Sequence, residues 1–266
     1  MVPEILKNIK RDNISYGELV EVSKRVSATE ASTYYEVILA LPGDSNAYHF
    51  ETTDKLVDSG LNKIGLYTLM ILDGCELATD ASRQKFRIKT RFRVVPRSFG
   101  VYNLEGQPLP CVEVEEVGVE NETLSFDDYV ECRRYALTIT LFYNDNVFFE
   151  LAQFIRNRGR KVSGWLRYVH DRFHQFPSKL RAIYDRFIAE TIGELADNQE
   201  DLERMIKSEP GCMEKYLNGE LGNNVLFNTQ ARAMVEAMDE QHDTAFGSAK
   251  EFLKGHGNGL SPLENS

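Results

Sequence analysis

Tyr34-Tyr35-Glu36-Val37-Ile38-Leu39-Ala40-Leu41-Pro42-Gly43-Asp44-Ser45 is an apolar run that halts at a proline and turns on a glycine. It ends in two residues that cap helices well, so the stretch reads as a buried strand followed by a turn and a helix start. The helix runs over about 46–58 and is closed by Gly60 in the C′ position. A second apolar run, Ile64 to Leu72, stops at Asp73-Gly74. Continuous rather than alternating apolar strands, joined by an amphipathic helix, mark a parallel sheet with covered faces. This β-α-β unit decides the fold class. Two short helical patterns precede it, at about 3–10 and 16–26, the second entered through Asn13 and Ser15.

Beyond Asp80 the pattern changes. Arg83, Lys85, Arg87, Lys89, Arg91 and Arg93 occupy every second position, with Phe86, Ile88, Phe92 and Val94 among the residues between them. A period of two puts six cations on one face of a strand. A second alternating segment, Pro110 to Val119, carries Glu113 and Glu115, with Glu116, Glu120 and Glu122 close by. The link between them, with Pro96, Gly100, Gly106, Pro108 and Pro110, reads as turn-rich. The cationic stripe has two readings: a seat for an anionic substrate group, or a partner for the Glu-rich strand. Opposite signs at equal spacing favour cross-strand pairing, for which Arg87 and Glu113 are a candidate pair.

From Ser125 on the signal is helical. Ser125-Phe126-Asp127-Asp128 has the form of a capping box, opening a helix to about Tyr143. Further helices are expected over 147–158, 164–175, 178–195, 199–207 and 229–253, and a disordered tail over 255–266.

The 266 residues carry 31 Lys and Arg against 41 Asp and Glu, a formal net charge of −10, which argues against a nucleic-acid or anionic-membrane partner. No window approaches the roughly 18 uninterrupted apolar residues of a membrane span. The opening residues, with Glu4, Lys7, Lys10 and Arg11, do not form a secretory signal. The chain reads as cytoplasmic. Cys75, Cys111, Cys132 and Cys212 stand far apart, which excludes a disulfide framework and a local metal-binding loop. No G-x-S-x-G, G-x-x-x-x-G-K-[ST] or G-x-G-x-x-G motif is present, so hydrolase, P-loop and Rossmann readings have no support. His170 and His174, four apart on an expected helix, have zinc-ligand spacing but no third ligand, and read as an exposed polar face.

Four motifs, the last in two pieces, resemble in order the second half of a radical S-adenosylmethionine (radical SAM) enzyme, of the type with an upstream cobalamin-binding domain. Pro3 to Asn13 (PEILKNIKRDN) is similar to the helix after the fourth barrel strand. Val37 to Ser45 (VILALPGDS) resembles the fifth-strand motif I-x-G-x-P-G-E-T. Leu66 to Leu77 (LYTLMILDGCEL) resembles the sixth strand with its L-x-G-T-E ending. Arg91 to Arg97 and Ser125 to Arg133 resemble the extension after the barrel. Together these cover about residues 3–150.

The resemblance implies a partial (β/α) barrel over 1–82, a β extension over 83–124 and an α-helical C-terminal domain over 125–254. It implies SAM and a [4Fe-4S] cluster as cofactors of the whole enzyme, with cobalamin as a further one. It places Ala40, Leu41, Pro42, Gly43, Asp44 and Ser45 beside SAM at a strand end, where β/α barrels carry their chemistry. Arg11, with Lys10, is placed within reach of the SAM carboxylate. The residue-level alternatives are a plain strand-to-helix turn at 40–45 and a solvated helix face at Lys10 and Arg11. Cys75, where the family has a hydroxyl, reads as a packing residue. Ala40 stands where the family has Gly, and Asp44-Ser45 replaces Glu-Thr. The C-x-x-x-C-x-x-C loop that holds the cluster is absent, so the chain looks like a C-terminal portion. It is expected neither to bind the cluster nor to cleave SAM alone, and to need a chain supplying the missing barrel half. The competing expectation is a non-catalytic module for an anionic ligand or a second polypeptide.

Overall fold

The computed structural model describes residues 2–27, 29 and 31–255. The expected disordered tail lies outside these residues apart from Gly255. Helices α1 (Pro3–Asn8) and α2 (Tyr16–Ser27) lead into β1 (Tyr34–Leu39), α3 (Asn46–Asp58) and β2 (Lys63–Thr68). β1 and β2 pair in parallel, Tyr34 opposite Lys63 through Leu39 opposite Thr68. The helix between them has the expected bounds because its signals are local. The Ser45 hydroxyl accepts from the Tyr48 N–H at 3.2 Å, and Gly60 follows at φ +82°. On one sheet face Val37, Leu39, Ile64 and Leu66 are buried, whereas Tyr34 and Tyr67 on the other stay exposed.

The second apolar run does not stay in one sheet. β2 ends at Thr68, and Leu69 bridges two sheets. Its N–H donates to the Leu39 carbonyl at 3.0 Å, and its carbonyl accepts from Gly118 N–H at 2.8 Å. The two-residue β3 (Met70–Ile71) therefore belongs to a second, antiparallel sheet, and the described residues form no closed barrel.

The cationic stripe is only half a strand. Thr79 caps a helix, α4 (Asp80–Phe86), that takes Arg83 and Lys85, and Arg87 ends it in a left-handed conformation at φ 51°. Strand β4 (Lys89–Leu104) starts after it and pairs with β5 (Gln107–Glu120) in a long hairpin. The alternation in sequence spans a helix end and a strand start, so six cations do not share one face. Cross-strand pairing holds with other partners: Arg93 with Glu115 at 2.6 Å and Lys89 with Glu120 at 2.9 Å. Arg83 reaches Glu116 from the helix with two bonds of 2.7 and 2.8 Å. Glu113 faces an irregular stretch between Val94 and Phe99 and has no opposite number in the ladder, and Arg87 lies outside it. Most of the supposed turn-rich link is strand, and the tight turn is confined to Glu105-Gly106, both at positive φ.

Helix α5 (Phe126–Phe142) opens with the expected capping box, Ser125 and Asp128 bonding reciprocally. Every residue from Cys132 to Phe142 is buried, so it is a central helix covered on all sides. Around it lie α6 (Phe149–Asn157), α7 (Val162–Asp171), α8 (Ser178–Gly193), α9 (Gln199–Ser208), α10 (Cys212–Leu217), α11 (Val225–Glu236) and α12 (Met238–Lys254). The expected single helix over 229–253 is two, broken at Ala237 (φ −137°), and α10 had no expectation at all. One apolar core runs from the β1-α3-β2 unit through α5, α7, α8, α11 and α12. A smaller one joins Val94 to Leu202, Ile206, Met213 and Tyr216 under the hairpin. No helix among the described residues is long and apolar enough to cross a membrane.

Candidate functional site

At the C-terminal end of β1 the chain makes a sharp turn. Ala40 is buried and left-handed at φ 68°, a conformation open to Gly and costly for residues with a Cβ. The buried Asp44 carboxylate closes the turn. It accepts from Ser45 N–H at 2.9 Å and Ala40 N–H at 3.3 Å, and lies 3.3 Å from His49 Nδ1. Carbonyl groups are held from two sides: Asn8 donates to Pro42 at 3.0 Å, Asn121 to Leu41 at 2.9 Å and Thr123 to Asp44 at 2.6 Å. Gly43, at φ 87°, has the Asn8 amide nitrogen 3.0 Å from where a Cβ would sit, so the turn and α1 approach closely.

Arg11 is exposed and borders a cavity of about 100 Å³ with Leu41, Asp44, His49 and residues 35–38 along the free edge of β1. The structure thus brings Arg11, Leu41 and Asp44 together. Ala40, Pro42, Gly43 and Ser45 form the turn behind them. Next to this turn, a cleft of about 420 Å³ separates α1 from residues 75–86. Lys10 and Glu76, both exposed, pair across it at 2.7 Å, and Cys75 is on its wall.

A second cavity, about 430 Å³, follows the free edge of β2. Gly65 contributes to its wall, where a Cβ would lie only 2.3 Å from the Tyr34 hydroxyl, itself 2.7 Å from that of Tyr67. Asn144 pairs with part of this edge as a strand would, accepting from Ile64 N–H at 3.0 Å and donating to its carbonyl at 2.9 Å. Arg93 lies at the cavity wall and binds Glu115 at 2.6 Å, Glu194 at 2.8 Å and Thr68 at 3.2 Å. Burial works against its charge, and the two carboxylates more than offset that and raise its pKa. Arg133, only 6% exposed, has no hydrogen bond or ion pair among the described residues, and its Nε is buried without an acceptor. Its guanidinium lies 5.6 Å from the Phe187 ring. The sequence pattern alone does not single out Arg133 as a functional residue. The available signal was two adjacent arginines, Arg133 and Arg134, ahead of a mostly apolar run to Phe142.

The histidine pair is not an exposed face. His170 is buried, with Nε2 2.9 Å from Glu131, and burial lowers its pKa despite that carboxylate; only His174 is exposed. Arg134 also pairs with Glu131 and donates to the His170 carbonyl at 3.1 Å. Burial opposes ionisation of Glu131, but the bonds from His170 and Arg134 outweigh it and hold its pKa down to about 2.

Among the described residues no group of three His, Cys, Asp or Glu side chains converges where a metal could bind. Cys132 is buried and its thiol pKa is pushed up by burial and then by Asp44, the opposite of a ligating thiolate. Among the described residues the four cysteines and their neighbours form no donor set that fits an iron–sulfur cluster.

No family model matches the chain. Over 156 residues, 58% of its length, it is 24% identical to 2-(S-pantetheinyl)-carbapenam-3-carboxylate methyltransferase of Streptantibioticus cattleyicolor. The match spans 22% of that protein. The chain is thus similar, at a distance, to part of a methyltransferase.

Proposed function

We propose that this chain forms the later part of a radical SAM methyltransferase, completed by barrel strands and a cysteine loop from outside residues 1–266. One observation carries the reading. Ala40 is left-handed at the end of a parallel strand, at the position where the motif resemblance expects glycine. A left-handed backbone is the conformation a glycine adopts freely, and this supports reading the turn as that motif. The similarity to a methyltransferase supports the same reading.

SAM, when bound, supplies the group that the reaction consumes. The backbone at 40–43 and the exposed Arg11 would line its seat. Asp44 does something else: its carboxylate is turned inward onto Ala40, Ser45 and His49, and so shapes the turn rather than reaching a cofactor. In this reading the cluster is held by the cysteine loop outside residues 1–266.

Purification of the chain from its native source without oxygen, followed by iron analysis and a SAM-consumption assay, tests the proposal. The expected result is a C-x-x-x-C-x-x-C sequence, joined to this chain or tightly bound to it, and SAM turnover only when that sequence is present. A stable complex without such a loop, or loop-containing material that leaves SAM untouched, rejects the reading. The second reading, a module for an anionic ligand, draws on the cavity at β2.

A further inference from the structure

We infer that the cavity along the free edge of β2 binds a small organic molecule through a single carboxylate, with Arg133 as its anchor. The inference starts from an imbalance. A buried guanidinium without acceptors is costly, because it gives up hydration and gains no hydrogen bond in return. Such groups are found paired with a carboxylate, a phosphate or a backbone carbonyl. Arg133 has none of these among the described residues, and its side chain borders a cavity of about 430 Å³. That volume is within the range of small-molecule sites.

The charged groups around it decide what kind of anion fits. Six charged side chains border the cavity: Lys63, Arg93, Arg133, Glu115, Asp145 and Glu194. Lys63 pairs with Asp145 at 2.8 Å, and Arg93 takes both glutamates. The three positive and three negative charges sum to zero, yet only Arg133 lacks a direct partner. A monoanion gives Arg133 the two acceptors of a fork-to-fork contact and adds one negative charge to the wall. A dianion adds two beside Glu194 and is disfavoured. A carboxylate is therefore preferred over phosphate.

The remainder of the wall suits an apolar body. Tyr67, Met70 and Phe227 border the cavity and are 42%, 46% and 52% exposed, so they offer apolar surface that the fold leaves open. The site is made entirely by this chain, and it lies on the edge of the sheet opposite the one that Arg11 borders. It does not rest on the radical SAM reading, and binding here is measured without SAM or a cluster.

The test is thermal unfolding of the full chain with benzoate, phenylacetate or cyclohexanecarboxylate at about 20 mM and constant ionic strength. Benzamide, phenylacetamide and inorganic phosphate serve as controls. At least one carboxylate raises Tm by about 3 °C, and its amide and phosphate do not. Arg133→Met abolishes the shift and, without ligand, melts no lower than the wild type, because it removes an unpaired buried charge. Arg133→Lys keeps the charge but loses the planar fork, and weakens the carboxylate at least about tenfold. The inference is overturned if no carboxylate distinguishes the wild type from Arg133→Met, or if phosphate binds better. It is equally overturned if Arg133→Met melts about 5 °C or more below the wild type. That result would assign Arg133 to balancing Glu115 and Glu194 instead.

Discussion

Ala40 sets two effects of similar size against each other. Its left-handed backbone costs about 1–2 kcal/mol for a residue with a Cβ, while its buried methyl contributes about 0.8 kcal/mol. Replacing it by glycine relieves the first and loses the second, so Ala40→Gly is expected to leave the unfolding free energy unchanged or to raise it slightly. Ala136 is a buried alanine in the middle of α5. Ala136→Gly loses the methyl and adds a helix penalty, together about 2 kcal/mol. Urea unfolding of the two variants side by side checks this, and equal losses would refute the strain at Ala40. Residue-scale meaning was unevenly legible. Pro42-Gly43-Asp44-Ser45 announces a turn and a cap in any context. Arg133 gives no such announcement, because what matters is which acceptors lie opposite, and those come from segments far away in sequence. Asp44 was legible as a polar residue at a strand end, but its inward-facing bonds were not.

Among the elements, α4 and β5 are tied by the Arg83–Glu116 pair, which Thr90 joins with a 2.5 Å bond to the same carboxylate. The pair is bidentate and partly shielded, so a double-mutant cycle of Arg83→Met and Glu116→Gln is expected to give a coupling of about 1–2 kcal/mol. A coupling below about 0.3 kcal/mol would sink that expectation. The bond from Arg83, aided by Thr90 and opposed by burial, lowers the Glu116 pKa from its ordinary value of 4.5. The contribution is therefore complete above pH 4.5 and fades as the pH falls through the lower, folded-state value. This element also shows why the cationic stripe was misread. A period of two over 83–93 is compatible with a helix that ends and a strand that begins, and Thr79-Asp80 was the cap signal that separates them. By contrast α3 and α5 were legible to within a residue, since each carries its own cap. The break at Ala237 has no such mark, and α10 is too short for a periodic pattern.

For the whole molecule, the unequal size of the two cores matters. The main core gathers around α5, whereas the second holds the hairpin to α9 and α10 with five buried side chains among the described residues. Local opening follows buried contact. Hydrogen exchange is therefore expected to be at least about 100-fold faster for α10 amides than for those of α5 between 133 and 141. Equal protection across both would mean one cooperative unit. The β-α-β start and the helical remainder were legible as classes of structure. Their fusion through one continuous core was not, since sequence periodicity shows which face is apolar and not what covers it.

The irregular stretch between Val94 and Phe99 divides the hairpin into two ladders with separate registers. Residues 101–109 of the outer ladder and its tip are exposed throughout. Because the inner ladder keeps its own phase, length can be removed from the outer one in opposed pairs without turning any inner side chain to the wrong face. Gly100 and Cys111 are such a pair, and a two-residue Asn-Gly turn would join them. The protruding arm is thus a handle that can be shortened, giving a trimmer molecule that keeps both cavities for crystallisation.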